Sequence, residues 1–362
     1  MTDRVYNFSP GPAVLPVPVL ETVRDQMLAL PGAGASILEI SHRSKAFDQI
    51  HREAEARLRK LMGISDDYAV LYLQGGSRLQ FAMVPMNLLA GKTGAYLVTG
   101  SWGAMAADEA TKFGAVARPY TSKATNFDRL PAKGEYQIPQ GAAYTYFVSN
   151  ETIQGVQFPA EPDAGGAPLI CDASSDFLCR PVDVSKYGLI YACAQKNAGP
   201  AGVTIVIIRR DLLERSQDAL PSYLNYRQHV ENDSLLNTPP TFAIYVNDLI
   251  CQWLENDVGG LAAMKALNEK KAALLYDVID RFPGFYQGHA QPGARSLMNV
   301  TFRLPGDALQ EQFLARCKQE KLTELKGHRS VGGIRASIYN AMPVEGVQTL
   351  ADVMTEFATE NG

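Results

Sequence analysis

The chain has 362 residues, which allows two domains and a large core. Hydrophobic residues make up 46% and charged residues 20%, and the formal net charge of −4 offers no global basic field to nucleic acid or an anionic membrane. No apolar run is long enough to span a bilayer, and the first residues carry no signal-peptide core.

Residues 1–16 are rich in proline and polar groups and read as an extended arm. Leu20, Val23, Met27 and Leu30 mark a helical stripe closed by Pro31-Gly32. Phe47, Ile50, Ala54, Leu58 and Leu61 mark a second, ending at Gly63. From there strands and helices alternate. Apolar and β-branched runs predict strands over Ala69–Leu73, Ala95–Val98, Tyr144–Val148, Pro168–Cys171, Leu189–Ala194 and Val203–Ile208. Such alternation implies an α/β fold, a largely parallel sheet covered on both faces. A helix over Thr241–Leu254 follows, with Asn237-Thr238-Pro239-Pro240 reading as its cap and first-turn proline.

Near Val258-Gly259-Gly260 the pattern changes. A helix over Leu261–Arg281, a strand over Met298–Leu304, a helix over Ala308–Lys318, a strand over Gly333–Ile338 and a helix over Val344–Phe357 suit a smaller α+β domain. The expected division is an arm (1–16) near the active site, a large domain (17–258) and a small C-terminal domain (259–362). Five cysteines (Cys171, Cys179, Cys193, Cys251 and Cys317) form no Cys-x-x-Cys pair. Their odd number and spacing argue against a disulfide framework or a zinc site, and favour the cytoplasm.

In parallel sheets ligands gather at the carboxyl ends of strands. Gln74-Gly75-Gly76-Ser77-Arg78 follows the first strand and opens a helix, the composition of an anion site. Trp102 follows the second, Thr152 the third and Asp172 the fourth. Gln195-Lys196 follows the fifth, in a locally uncharged stretch where desolvation would favour the free amine. A phosphate cradle, an aromatic plate, a hydroxyl, an acid and a lysine are the parts that pyridoxal phosphate needs. Taken singly, each has a plain alternative: a turn, a core indole, a helix cap, a snorkelling lysine.

Several longer stretches resemble one family. They are Asn7-Phe8-Ser9-Pro10-Gly11-Pro12-Ala13, Glu39-Ile40-Ser41-His42-Arg43, Ala192–Gly202 around Gln195-Lys196-Asn197, Asn237-Thr238-Pro239-Pro240, and Lys326-Gly327-His328-Arg329 through Gly332-Gly333-Ile334-Arg335 to Ala341. Together they resemble the phosphoserine aminotransferase family over nearly the whole chain. The resemblance implies a fold type I pyridoxal-phosphate enzyme with a mostly parallel seven-stranded sheet. It implies a homodimer with active sites between subunits. The reaction it implies exchanges an amino group between glutamate and 3-phosphohydroxypyruvate, giving phosphoserine and 2-oxoglutarate. A related phosphorylated substrate of pyridoxine synthesis is a further expectation.

By the same resemblance, Lys196 takes the cofactor aldehyde, Asp172 faces the pyridinium nitrogen, Trp102 stacks on the ring and Thr152 touches its polar edge. Ser77, Arg78 and Gln195 hold the phosphate region, and Asn237 and Thr238 reach it from the neighbouring subunit. Arg335 takes the substrate α-carboxylate, while His42, Arg43, His328 and Arg329 form a cationic cluster for the phosphate or side-chain carboxylate. Some family members have serine, a substrate contact, where this chain has Pro10. Here Ser9 or the backbone of the Phe8–Gly11 turn would have to serve.

Other readings fit less well. Gly91-Lys92-Thr93 looks like the end of a P-loop, but position 86 is Met and the segment precedes a strand. A cysteine desulfurase would need an exposed reactive cysteine, and Cys317 falls on a helical stripe. An alanine–glyoxylate aminotransferase does not call for the second cationic pair. A non-catalytic cofactor-binding protein would have no need of both Lys196 and Asp172.

Overall fold

The computed structural model describes residues 4–362, so the first three residues of the expected arm lie outside it. Its centre is a seven-stranded sheet of β1 (Tyr68–Leu73), β2 (Gly94–Val98), β3 (Val116–Thr121), β4 (Tyr144–Val148), β5 (Leu169–Asp172), β6 (Leu189–Cys193) and β7 (Thr204–Arg209). The order is β1-β7-β6-β5-β4-β2-β3. All strands run parallel except β7, which is antiparallel to both β1 and β6. The link from β6 to β7 is too short for a crossover helix, and the Ala194 N–H donates to Val203 O to close it.

Six strands lie where the hydrophobic runs place them. The seventh, β3, carries Arg118 and Pro119 and has no apolar run. It occupies the sheet edge, where proline forfeits no ladder bond on the open side.

Helices cover both faces. On one side lie α1 (Val17–Gln26), α2 (Lys45–Met62) and, after the short α5 (Tyr226–Glu231), α6 (Thr241–Trp253). On the other lie α3 (Gly76–Leu88) and α4 (Ser101–Ala110). Helix α2 begins where the Ser44 hydroxyl accepts from Phe47 N–H and ends at Gly63, whose φ of 65° suits a residue without Cβ. It buries Phe47, His51, Ala54, Leu58 and Met62, with Ile50 and Leu61 at the flanks. Helix α1 stops at Gln26, short of the buried Leu30. At the start of α6, Pro240 holds the cap position without a side-chain bond, so Asn237 and Thr238 are not its cap.

Helix α7 (Leu261–Arg281) spans two cores. Leu261 and Met264 join the large-sheet core, and Ala272, Leu275, Val278 and Ile279 join a second one. That second core lies beneath the antiparallel strands β8 (Gln287–Gly288), β9 (Asn299–Arg303) and β10 (Ile334–Ser337), with α8 (Asp307–Gln319) and α9 (Val344–Asn361). The arm is not free: Tyr6–Asn7 pair in parallel with Leu322–Thr323, and Phe8 is buried in the second core. Further on, Ala13 N–H donates to Gln195 O, 2.9 Å. The arm thus runs from the small sheet to the Lys196 segment.

Candidate active site

A cavity of about 380 Å³ opens at the carboxyl ends of β1, β2, β4, β5 and β6. Gly75, Gly76, Ser77, Arg78, Trp102, Thr152, Asp172, Gln195 and Lys196 all line it, so the five strand-end stretches do converge. Gly11 also lines it, bringing the arm into the site. Gly11 has a φ of 143°, a conformation that favours glycine, and a Cβ there would come within 2.9 Å of Lys196 Cε.

Each part is held by its element. Gly75 and Gly76 have φ of 95° and 64°, and α3 starts there without a side-chain cap, leaving its first amides open to an anion. The Ser77 and Ser174 hydroxyls are 2.7 Å apart. The Arg78 guanidinium lies 5.8 Å from the Trp102 ring centroid, a cation–π pair that steadies the half-buried indole. Lys196 Nζ stands 5.9 Å from the centre of the Tyr339 ring.

Asp172 is buried, and burial pushes its carboxyl upward, against hydrogen bonds from Ser174 and Tyr191 and the charge of Lys196. The uncharged neighbourhood that the local sequence suggests for Lys196 is therefore not the three-dimensional one. An adjacent strand delivers a carboxylate that residues 189–203 do not contain.

Glu151 is the site residue that the sequence reading passed over. It is 0% exposed, and its carboxylate accepts from Trp102 N–H (2.9 Å) and Gly103 N–H (2.8 Å), the first amides of α4. Gly100 and Gly103 lack the Cβ that would collide with it or crowd it. Gln154 adds to the clamp: its Nε2 donates to Ser101 Oγ, 2.7 Å. The hairpin carrying Thr152 is thus fastened to the helix carrying Trp102. A Glu beside a predicted cofactor contact and a glycine-flanked Trp were the only local signals.

Burial, together with the Asp172 charge, pushes the Glu151 carboxyl up to about 7, against its two backbone donors. The folded state then holds this proton more tightly than the unfolded chain. The resulting stability is full below about pH 4.5, the unfolded glutamate range, and is lost as pH rises through 7. From pH 5 to 8, wild-type apoprotein should lose roughly 1–3 kcal/mol more stability than Glu151→Gln. Urea midpoints at both pH values measure this; equal losses would reject it.

Arg335, on β10, is 7% exposed, and its Nε has no hydrogen-bond partner. Among the described residues no carboxylate pairs with it. Burial lowers its proton affinity, offset in part by Tyr339. A buried, unpaired guanidinium costs stability unless an anion comes to it. His328 is held below its usual range by burial and by the charges of Arg335 and Arg329, which puts the three side chains in one neighbourhood.

None of Arg335, His328 and Arg329 lines this cavity, and the remaining expected site residues are not brought to it either. His42 is partly and Arg43 fully exposed, in the turn before α2, and neither lines the cavity. None of the four residues of the expected cationic cluster, His42, Arg43, His328 and Arg329, lines the cavity. Asn237 and Thr238 are also exposed, and Asn237 Nδ2 donates to Gln74 Oε1, 3.0 Å. Thr241 Oγ1 lies 3.5 Å from Ile37 O. Ser9 lies off the cavity, its hydroxyl 3.4 Å from Gly11 N, while Tyr339 donates to Pro10 O at 2.8 Å. The turn backbone rather than the Ser9 side chain reaches the cavity.

The class-V aminotransferase family model matches residues 5–350. A phosphoserine aminotransferase of Rhodopirellula baltica is 55% identical over 99% of this chain and 96% of its own length. One of Geobacillus kaustophilus is 51% identical over 98% of each. Among solved structures, the phosphoserine aminotransferase of Bacillus circulans subsp. alkalophilus superposes with a TM-score of 0.97 at 47% identity, covering 100% of both chains. A pyridoxal-phosphate-bound one from Trichomonas vaginalis gives 0.93 at 42% identity, covering 97% of this chain and 99% of its own.

Proposed function

The chain belongs to the phosphoserine aminotransferases of aminotransferase class V, and from that premise we propose how its residues divide the work. The reaction is reversible amino transfer between L-glutamate and 3-phosphohydroxypyruvate, giving O-phospho-L-serine and 2-oxoglutarate. The cofactor is pyridoxal phosphate. The residues present suit it: uncapped α3 amides for the phosphate, the Trp102 face for the ring, Asp172 for the ring nitrogen and Lys196 for the aldehyde. Bound there, pyridoxal phosphate supplies an aldehyde that binds amines and a ring that takes up the electron pair released at the substrate α-carbon.

In this reading Lys196 Nζ would hold the cofactor aldehyde and would carry the proton away from the substrate α-carbon. Asp172 keeps a proton on the ring nitrogen. Trp102 fixes the ring plane and keeps out water, while Thr152 meets the ring's polar edge. Ser77, Arg78 and Gln195 support the phosphate. Arg335 takes the substrate α-carboxylate, the observation that carries the proposal being its buried and unpartnered guanidinium. His328 and Arg329 take the distal phosphate or the glutamate γ-carboxylate; guanidinium forks suit both anions.

His42, Arg43, Asn237 and Thr238 complete the site of a second copy of the chain. The exposure of Arg43, Asn237 and Thr238 and of the apolar Leu28 and Leu38 supports such a homodimer. We assign 1–16, 17–258 and 259–362 as arm, large domain and small domain, with α7 shared between the last two cores. All five cysteines are free, which supports a cytoplasmic setting. Use of a longer phosphorylated hydroxy-amino acid of pyridoxine synthesis fits the same pair of anion sites.

The test is the visible spectrum of the holoenzyme. O-phosphoserine and glutamate should convert the yellow form to the amine form of the cofactor, and alanine should do so poorly. A response to alanine equal to that with phosphoserine would reject the substrate assignment. At the cationic pairs, Arg43→Ala or Arg329→Ala should raise the KM for phosphoserine about tenfold, as loss of one charge-assisted contact does. Cofactor loss with an unchanged phosphoserine KM would reverse that assignment.

A further inference from the structure

We propose that Tyr191 and Tyr146 form a directed hydrogen-bond relay that holds Asp172 ionised and aimed at the cofactor ring, making both tyrosines positioning residues for amino transfer. This rests on the reading of Asp172 given above.

The three residues come from neighbouring strands. Asp172 ends β5, and its register partner on β6 is Tyr191. Tyr146, on β4, pairs with Ile170, two positions before Asp172, so all three side chains share one face of the sheet. Tyr191 Oη lies 3.0 Å from Asp172 Oδ2, and Tyr146 Oη lies 2.7 Å from Tyr191 Oη. The other carboxylate oxygen, Oδ1, accepts from Ser174 N–H at 2.9 Å.

The direction of the relay follows from valence. An ionised carboxylate only accepts, so the Tyr191 proton points at Asp172. Tyr191 has one proton, so in its contact with Tyr146 it must accept. Tyr146 therefore donates, and both O–H dipoles point toward Asp172. Bonds in such a chain strengthen one another in a low dielectric.

The relay has a physical task. Facing Asp172 are Tyr191 from β6, Tyr146 from β4, Glu151 from the hairpin after β4, and Ser174 and Lys196 from the loops beyond β5 and β6. Burial works against a charge on Asp172, and that charge in turn helps to push the Glu151 carboxyl up. Ser174, Lys196 and Tyr191 work for the charge on Asp172. With Lys196 assigned to the cofactor aldehyde, the tyrosines and Ser174 would remain as the permanent support. Both phenols are buried in an apolar layer where phenylalanine would fill the same space. Among the described residues neither hydroxyl has a partner outside this chain of contacts.

The experiment is a double-mutant cycle with Tyr191→Phe, Tyr146→Phe and the pair. The readouts are pyridoxal phosphate binding to apoprotein, followed by quenching of tryptophan fluorescence, and steady-state kinetics of the holoenzyme. Tyr191→Phe should weaken cofactor binding about 10- to 100-fold, the loss of one hydrogen bond to a charged group. It should lower kcat and leave the KM for phosphoserine unchanged. Tyr146→Phe should give a smaller change of the same sign, and none when Tyr191 is already Phe.

Additive effects of the two substitutions would overturn the relay. So would a fall in apoprotein melting temperature with cofactor affinity and kcat unchanged, the mark of a packing role alone. If Tyr191→Phe does not fold, Tyr146→Phe, which does not touch Asp172, decides: weaker cofactor binding supports the relay, and wild-type binding refutes it. Failure of the wild-type protein to bind pyridoxal phosphate or to transaminate phosphoserine would instead refute the underlying reading, before any variant is compared.

Discussion

Lys196→Ala should lose at least about 10⁴-fold in kcat, the upper range for removing a positioned proton-transfer group, while the protein stays folded. The lysine stands at the tip of β6, half-buried, with its stem against Gly11 and its amine over the Tyr339 ring. None of these contacts belongs to the sheet cores, so truncation opens space in the cavity and not beneath the strands. Two functions go together: covalent retention of the cofactor and movement of the α-proton. The variant should therefore release pyridoxal phosphate on dialysis, and added small primary amines should restore part of the rate by supplying the missing base. Single-turnover kinetics with phosphoserine, with and without added amine, measure both. A variant with near-wild-type turnover would remove Lys196 from the mechanism.

Arg335→Leu should produce opposite effects on function and stability. The guanidinium is buried, its Nε is unpartnered, and burial lowers its proton affinity. In the protein without substrate this charge is a cost, because desolvation is not offset by an anion. With substrate, the same desolvation strengthens the pairing with the α-carboxylate. Replacement by leucine should reduce kcat/KM for phosphoserine and for glutamate by about 10²–10³, as truncating one partner of a buried charge pair does. Both amino donors should suffer alike, since both present an α-carboxylate. The apoprotein should melt at the same temperature or higher. A large loss of apoprotein stability with kcat/KM retained would show Arg335 to be a structural cation instead.

Much of the site was legible because its chemistry sits directly after apolar runs. Once Leu189–Ala194 is read as a strand, Gln195 and Lys196 must lie at its end, and the same holds for Asp172 and for Gly75–Arg78. The helices of the C-terminal part were equally readable, Leu261–Arg281 to the residue. Strand β3 was not, since an edge strand needs neither alternation nor freedom from proline. Glu151 was passed over because its partners, the amides of Trp102 and Gly103, are backbone groups almost fifty positions earlier in the chain. No spacing rule links a carboxylate to a distant helix terminus.

Local periodicity and turn chemistry by themselves determined where most strands and helices form and which reactive groups stand at strand ends. These depend on neighbours within a few residues, and the chain states them directly. The tertiary structure alone decided which ends meet. Strand order places β6 beside β5, so that Tyr191 reaches Asp172 and Asp172 faces Lys196. The fold also brings His328, Arg329 and Arg335 into one neighbourhood. Such pairings join residues far apart in the chain, and their free energy comes from burial and register across the sheet, which no local window contains.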